Sequence, residues 1–306
     1  MGDQDAATGG ARRLAAAPIS WGVCEVPGWG RMLPPDRVFA EMAALGIRAT
    51  ELGPVGWLPE EPSALRAQLE RHGLSLVGGF VPLVLHEPVL GATRAEADRI
   101  ARLLAGAGAD VFVAAIVTDT QWSAPIALDD TQWSRLVAHL AEIEELVAAH
   151  GLQLALHPHA GTLIERADAV ERLLASSDVG WCLDTGHLLI GGFDPADFAR
   201  RHGDRVVHVH LKDVDDAVAE RLRSGELSLM QATQAGMFRP LGQGDAGIDE
   251  VIRLLDDSGY ARWLVLEQDT AITGQEPPVG RGPVLDVRTS IDYLNNLAPG
   301  RERVTS

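Results

Sequence analysis

The chain has 306 residues, 46% of them hydrophobic, and a formal charge of −17. That is too long for a minimal domain and within the range of one (β/α)8 barrel, which takes about 250 residues. Such acidity repels polyphosphate and anionic lipid, which makes nucleic acid and membrane surface poor partners.

The opening stretch, MGDQDAATGGARR, holds no apolar core of signal-peptide length. Its Gly, Ala and polar mix predicts a disordered arm over residues 1–15, ahead of a single domain over 16–306. No run approaches the ~18 apolar residues of a membrane span. Cys24 and Cys182 are the only two cysteines and show no metal-like spacing, so a reducing, cytoplasmic setting is expected.

From there short β-like runs alternate with amphipathic helical stretches, the pattern of a parallel sheet covered by helices. APISWGV is the first predicted strand and LPPDRVFAEMAALG the first helix, opened by Pro34 and Pro35 and closed by Gly46. IRATELG (47–53) follows as a strand, then the helix SALRAQLERHG with Ser63 as its cap and Gly73 as its stop. LSLVGGF, a helix over 93–107, ADVFVAAIV and a long helix over 130–150 complete the first half. LALHPHAGT (154–162), CLDTGH (182–187), HVHLKD (208–213) and LVLEQD (264–269) supply the last four strands. Helices near 165–175, 194–202, 248–259 and 284–297 accompany them. Eight strand and helix pairs in one rhythm, with no opening glycine-rich nucleotide turn, favour a closed TIM barrel over an open doubly wound sheet.

Between the seventh and eighth strands, residues 214–247 form an insertion with a helical stretch, AVAERLRSGELSLMQATQAG, and the turn GQGDAG. Connections in compact α/β units usually take about 2 to 6 residues. An insertion on this face therefore suggests a lid or a contact between copies of the chain in a homo-oligomer. GQGDAG lacks GxGxxG spacing and does not follow a strand, which makes it a turn rather than a phosphate cradle.

Each of the last four runs breaks from apolar residues into histidine or carboxylate. Side chains alternate along a strand, so Asp184 shares a face with Cys182, His210 with His208 and Lys212, and Glu267 with Val265. The opposite faces are bulky and apolar, with Leu154, Leu156, Trp181, Leu183, Val207, Val209, Leu264 and Leu266. Barrel strands converge at their C-termini, which brings Asp184, His210 and Glu267 to one rim, with His157 as a candidate fourth donor. Carboxylate and imidazole without thiolate suit Mn²⁺, Co²⁺, Zn²⁺, Fe²⁺ or Mg²⁺, with Mn²⁺ or Co²⁺ preferred.

Lys212 is the only lysine among 26 basic side chains. Two positions after His210, it points to the same mouth, where an ammonium can neutralise an oxyanion or hold a hydroxyl. His208, one step deeper, reads as a satisfied core histidine. Asp184 fits either a ligand or the cap of a helix starting near Thr185. Trp21, Glu51 and Arg239 are candidates for binding substrate, with contact to a histidine behind the site as the other functional role for Glu51; packing is the competing role for Trp21, and a structural ion pair for Glu51.

In this order, ISWG (19–22), TELG (50–53), LDTGH (183–187) and HVHLKD (208–213) resemble the motifs of the xylose-isomerase-like sugar isomerase and epimerase superfamily. HPHAGT and the closing LEQD are most similar to its inosose dehydratases, and the likeness runs through nearly the whole chain from residue 16. Many members carry Glu as the fifth-strand ligand; His157 occupies that place here, and Pro158 stands in the middle of what tends to be three consecutive histidines in the dehydratases. The resemblance implies a divalent metal held by Asp184, His210 and Glu267, with His157 or His159 completing the shell. It implies a sugar or cyclitol substrate and dehydration of a keto-cyclitol through a metal-stabilised enediolate. Glu267, His159, His187 and Lys212 are the candidate acid and base. The alternatives are sugar isomerisation or ketose 3-epimerisation through the same enediolate, and a non-catalytic carbohydrate-binding protein.

Overall fold

Alternation along the strands sorts the apolar residues into two cores. In the computed structural model, which describes residues 12–297, small side chains fill the barrel lumen and bulky ones lie beneath the helices. Ala15, Ala17, Ala49, Val77 and Val265 form one lumen cluster, and Val111, Val113, Ala155 and Cys182 another. Leu154, Leu156, Trp181, Leu183, Val209, Leu264 and Leu266 belong to the outer core. Burying each such side chain contributes about 1.5–3 kcal/mol. Val207 departs from the expected sorting and packs against the lumen, beside a slip in strand pairing between Trp181 and Cys182.

The strands in chain order are β1 (Leu14–Ala16), β2 (Ala49–Leu52), β3 (Ser75–Leu83), β4 (Val111–Ile116), β5 (Gln153–Leu156), β6 (Trp181–Asp184), β7 (Val206–Leu211), β8 (Asp213–Val214), β9 (Phe238–Arg239) and β10 (Leu264–Leu266). Among the described residues, eight of them close a parallel barrel in the order β1-β10-β7-β6-β5-β4-β3-β2, while β8 and β9 pair separately. The helices are α1 (Pro35–Ala44), α2 (Pro62–Glu70), α3 (Gly91–Ala107), α4 (Asp130–Ala149), α5 (Ala167–Ser176), α6 (Thr185–Ile190), α7 (Pro195–His202), α8 (Asp216–Arg223), α9 (Leu229–Gln234), α10 (Ile248–Ser258) and α11 (Pro283–Asn296). No described helix is long and apolar enough to cross a membrane.

The expected barrel is present, with corrections at its edges. The arm expected over residues 1–15 lies outside the described residues up to residue 11, but Leu14–Ala16 is β1, paired with β10 and β2. APISWGV is not the strand: Pro18 has no N–H for a ladder and opens a 3-10 turn, Pro18–Trp21, which Gly22 ends at φ 79°. Glu61 rather than Ser63 caps α2, because its carboxylate accepts the Ala64 N–H at 2.8 Å and the Ser63 hydroxyl donates to it as well.

The insertion holds two short helices, α8 and α9, and the antiparallel β8–β9 ribbon instead of one helix. Val214, Ala219, Ala232, Met237 and Phe238 pack as a small core against Ala160 and Ile190, at the C-terminal rim. The Gln234 amide donates to the carbonyls of Gly28 (3.1 Å) and Trp29 (3.0 Å), tying the insertion to the loop after β1. GQGDAG wraps around a carboxylate of its own chain: Asp213 accepts the N–H groups of Gly242, Gly244 and Ala246 at 2.8, 2.9 and 3.0 Å. A side chain at Gly244 would run into Asp213 and Val214, so the turn is built for this close approach.

Candidate metal centre and catalytic rim

Four side chains from four successive barrel strands meet at the rim. One ligand atom from each of His157, Asp184, His210 and Glu267 lies within 4.8 Å of the other three. His157 follows β5, Asp184 ends β6, His210 lies near the end of β7 and Glu267 follows β10. His157 Nε2 is 3.2 Å from Asp184 Oδ2, and His210 Nδ1 is 3.5 Å from that oxygen and 2.6 Å from Glu267 Oε2. His157, Asp184 and His210 are at most 1% exposed.

The donor set fits a divalent cation. His210 Nδ1 and Glu267 Oε2 are buried and close, yet neither has a hydrogen bond of sound geometry among the described residues. Lone pairs directed at a common point are stabilised by a cation between them, and imidazole plus carboxylate suits the borderline divalent metals. Asp184 is both ligand candidate and cap, since Oδ1 accepts the His187 N–H at 2.7 Å while Oδ2 faces the cluster.

Lys212 stands beside the donors, 1% exposed, with Nζ 2.8 Å from Asp269 Oδ1, 3.3 Å from Glu267 Oε2 and 3.0 Å from His187 Nε2. Burial opposes its charge, but Asp269, Glu267 and Asp184 outweigh that and hold the ammonium well above its ordinary pKa. The LDTGH stretch builds its berth. Thr185 Oγ1 donates to the Lys212 carbonyl at 2.8 Å, and a Cβ at Gly186 would sit 2.6 Å from Lys212 Cγ, so only glycine lets the stem pass. Phe238 of the insertion lies 5.1 Å from Nζ, which makes the insertion part of the site wall.

His159 is outside the donor cluster, with its ring 3.9 Å from that of His187. Its Nδ1–H donates to the Ala160 carbonyl at 2.7 Å, which leaves Nε2 bare. Burial, followed by the charges of His157 and Lys212, pushes its pKa down to about 3, so the ring is neutral. Burial also holds His187 well below the usual histidine range, aided by His159 and Lys212. Glu267 resists burial because His210 and Lys212 keep it ionised, at about 2.

Of the three substrate candidates, Trp21 and Arg239 stand apart from the cluster and Glu51 touches it from behind. Trp21 is wholly buried and donates its indole N–H to Glu41 of α1 at 2.9 Å, the packing role that a large ring takes between strand and helix layers. Arg239 pairs with Asp215 at 2.8 Å, at the N-cap of α8 in the insertion. Glu51 lies behind His210 in the lumen, bonded to His208 and His210. His208 is buried, with this carboxylate as its partner.

Asp269 is the rim residue that sequence reasoning passed over. It is 7% exposed, and burial pushes its carboxyl up to about 6 against the pull of Lys212. The signal was the spacing, since Asp269 lies two residues beyond Glu267.

A sequence model of the xylose isomerase-like TIM barrel family matches residues 39–297. An inosose dehydratase of Geobacillus kaustophilus is 31% identical over 298 residues, covering 93% of this chain and 94% of that one. The rhizopine catabolism protein MocC of Rhizobium meliloti is 33% identical over 266 residues, covering 84% and 81%. Among solved structures, the probable 3-DHS dehydratase AsbF of Bacillus anthracis, involved in petrobactin synthesis, matches with a TM-score of 0.68 at 15% identity, over 94% of this chain and all of that one.

Proposed function

The chain belongs to the xylose isomerase-like TIM barrel family, and from that premise we propose that it is a metal-dependent lyase that removes water from a keto-cyclitol, as an inosose dehydratase does. The observation that carries the reading is a site with a four-donor cation seat, a buried ammonium and a bare imidazole nitrogen side by side. Likeness to an inosose dehydratase along 93% of the chain supports the substrate class. His157, Asp184, His210 and Glu267 would hold the cation, with Mn²⁺ or Co²⁺ preferred over Zn²⁺, Mg²⁺ or Fe²⁺.

When bound, a divalent cation supplies Lewis acidity that lowers the pKa of the carbon acid beside the substrate ketone. His159 Nε2 is the base we assign to that proton: its lone pair is bare and the Ala160 carbonyl holds the tautomer, while the low proton affinity set by burial makes the transfer depend on the acidity that the cation would confer on the substrate. Lys212 is assigned to the departing β-hydroxyl, to which its ammonium donates a hydrogen bond. The hydroxyl leaves as water with a proton from this ammonium, and the proton taken by His159 restores it, so both groups end as they began; Asp269, 2.8 Å from Nζ, holds the ammonium in place. His187 sets the orientation of both, its ring 3.9 Å from that of His159 and tilted by 36°, and its Nε2 touching Lys212 Nζ. Phe238 helps to exclude water above them.

A free cysteine pair and the acidic chain accord with a cytoplasmic enzyme acting on a small molecule, and a homo-oligomer remains part of the proposal. The test is to incubate Mn²⁺-loaded protein with a panel of inososes and ketoses in deuterated water. A product at substrate mass less water supports dehydration. Deuterium uptake at unchanged mass would replace it with isomerisation or epimerisation, and binding without either would leave a carbohydrate-binding protein.

A further inference from the structure

We propose that Glu51 is the positioning residue that decides which nitrogen of His210 faces the cation seat. The inference rests on the metal reading above and adds a residue from the far side of the barrel to it. Glu51 ends no ordinary pairing: between Thr50 and Glu51 the β2–β3 register slips by one, and Glu51 comes opposite Gly78. Slips of this kind re-aim a side chain. Thr50 is pinned beside it, its hydroxyl donating to the Ala16 carbonyl at 3.0 Å.

The carboxylate reaches the two lumen histidines of β7. Its Oε1 accepts from His208 Nε2 at 2.7 Å and from His210 Nε2 at 3.0 Å, with all three side chains at most 3% exposed. A histidine that ligates a metal is neutral and carries one N–H. If Nε2 keeps it for Glu51, Nδ1 must present a lone pair. That Nδ1 is the atom 2.6 Å from Glu267 Oε2, at the donor cluster. A carboxylate behind a ligating imidazole also holds the ring plane and makes the ligand more basic, and losing such a partner commonly weakens metal affinity about 10- to 100-fold. His208 has a use in this scheme: a second N–H on the same oxygen holds the carboxylate in place.

The experiment measures Mn²⁺ affinity by chelator competition for the parent chain, Glu51→Gln and Glu51→Ala. Glu51→Gln keeps the shape and removes the charge, so we expect it to bind about 10-fold more weakly, and Glu51→Ala about 100-fold. Folding is followed by circular dichroism, and the near-isosteric glutamine variant carries the test if alanine does not fold. A second measurement needs no variant: ¹⁵N-histidine spectra of the Zn²⁺-loaded parent should show His210 protonated at Nε2 and metal-shifted at Nδ1. A proton on Nδ1, or parent-like Mn²⁺ affinity in a folded Glu51→Gln, overturns the positioning role and leaves the metal reading standing. A parent chain that binds neither ion overturns both.

Discussion

The rim and the outer surface use the same ion-pair chemistry under opposite conditions. On the surface, Arg201 meets Asp197 at 2.9 Å and Glu171 at 2.6 Å, with all three side chains about 40% exposed. At the rim, Lys212 meets Asp269 at 2.8 Å with both buried. Distance alone does not tell them apart. In water the pair gains little, about 0–1 kcal/mol, because solvent already serves each charge. Below the surface each charge loses several kcal/mol of hydration, so such a cluster is a poor investment in stability and a good one in chemistry. The chain follows this division, with arginine on the outside and its single lysine at the rim.

The comparison breaks most sharply at the proposed cation seat. Asp184→Ala removes a donor and the cap of α6 together, and turnover should fall by about a thousandfold or more, the several kcal/mol that Lewis acidity supplies. Metal analysis by mass spectrometry should find the variant empty; full metal and full turnover would refute the seat. Next comes Lys212→Met, which strands Asp269 and Glu267. We expect turnover to drop by about 10²–10⁴ with metal stoichiometry unchanged. Unfolding in urea should show a loss of about 3–5 kcal/mol, the cost of an orphaned buried charge.

Gly186→Ala tests the berth rather than the charge. Overpacking against the lysine stem should cost about 1–3 kcal/mol, and a displaced ammonium should lower kcat more than it raises KM. The smallest effect belongs to the surface. Arg201→Ala should move stability by no more than about 0.5 kcal/mol and leave kcat/KM alone. A larger loss there would erase the distinction between the two regions.

How much of this was legible beforehand follows from the range of each interaction. Alternation is local, so the sorting of Leu154 and Leu156 outward and Ala155 inward was readable, and with it the arrival of Asp184, His210 and Glu267 at one rim. The lone lysine was readable from composition and its side from parity. The first strand was misplaced because Pro18 interrupts an apolar run whose ladder partner, β10, lies at the other end of the chain.

The sequence by itself therefore determined the barrel, the faces of its strands and the kinds of atom at the rim, since each depends on neighbours one or two residues apart. Only the tertiary structure decided that His157 rather than His159 lies in the four-residue cluster, that Trp21 packs against α1, and that Glu51 stands behind His210, 159 positions away. Those outcomes depend on strand register and on the width of the closed lumen. Both are properties of the whole ring of strands and leave no mark on any short stretch of chain.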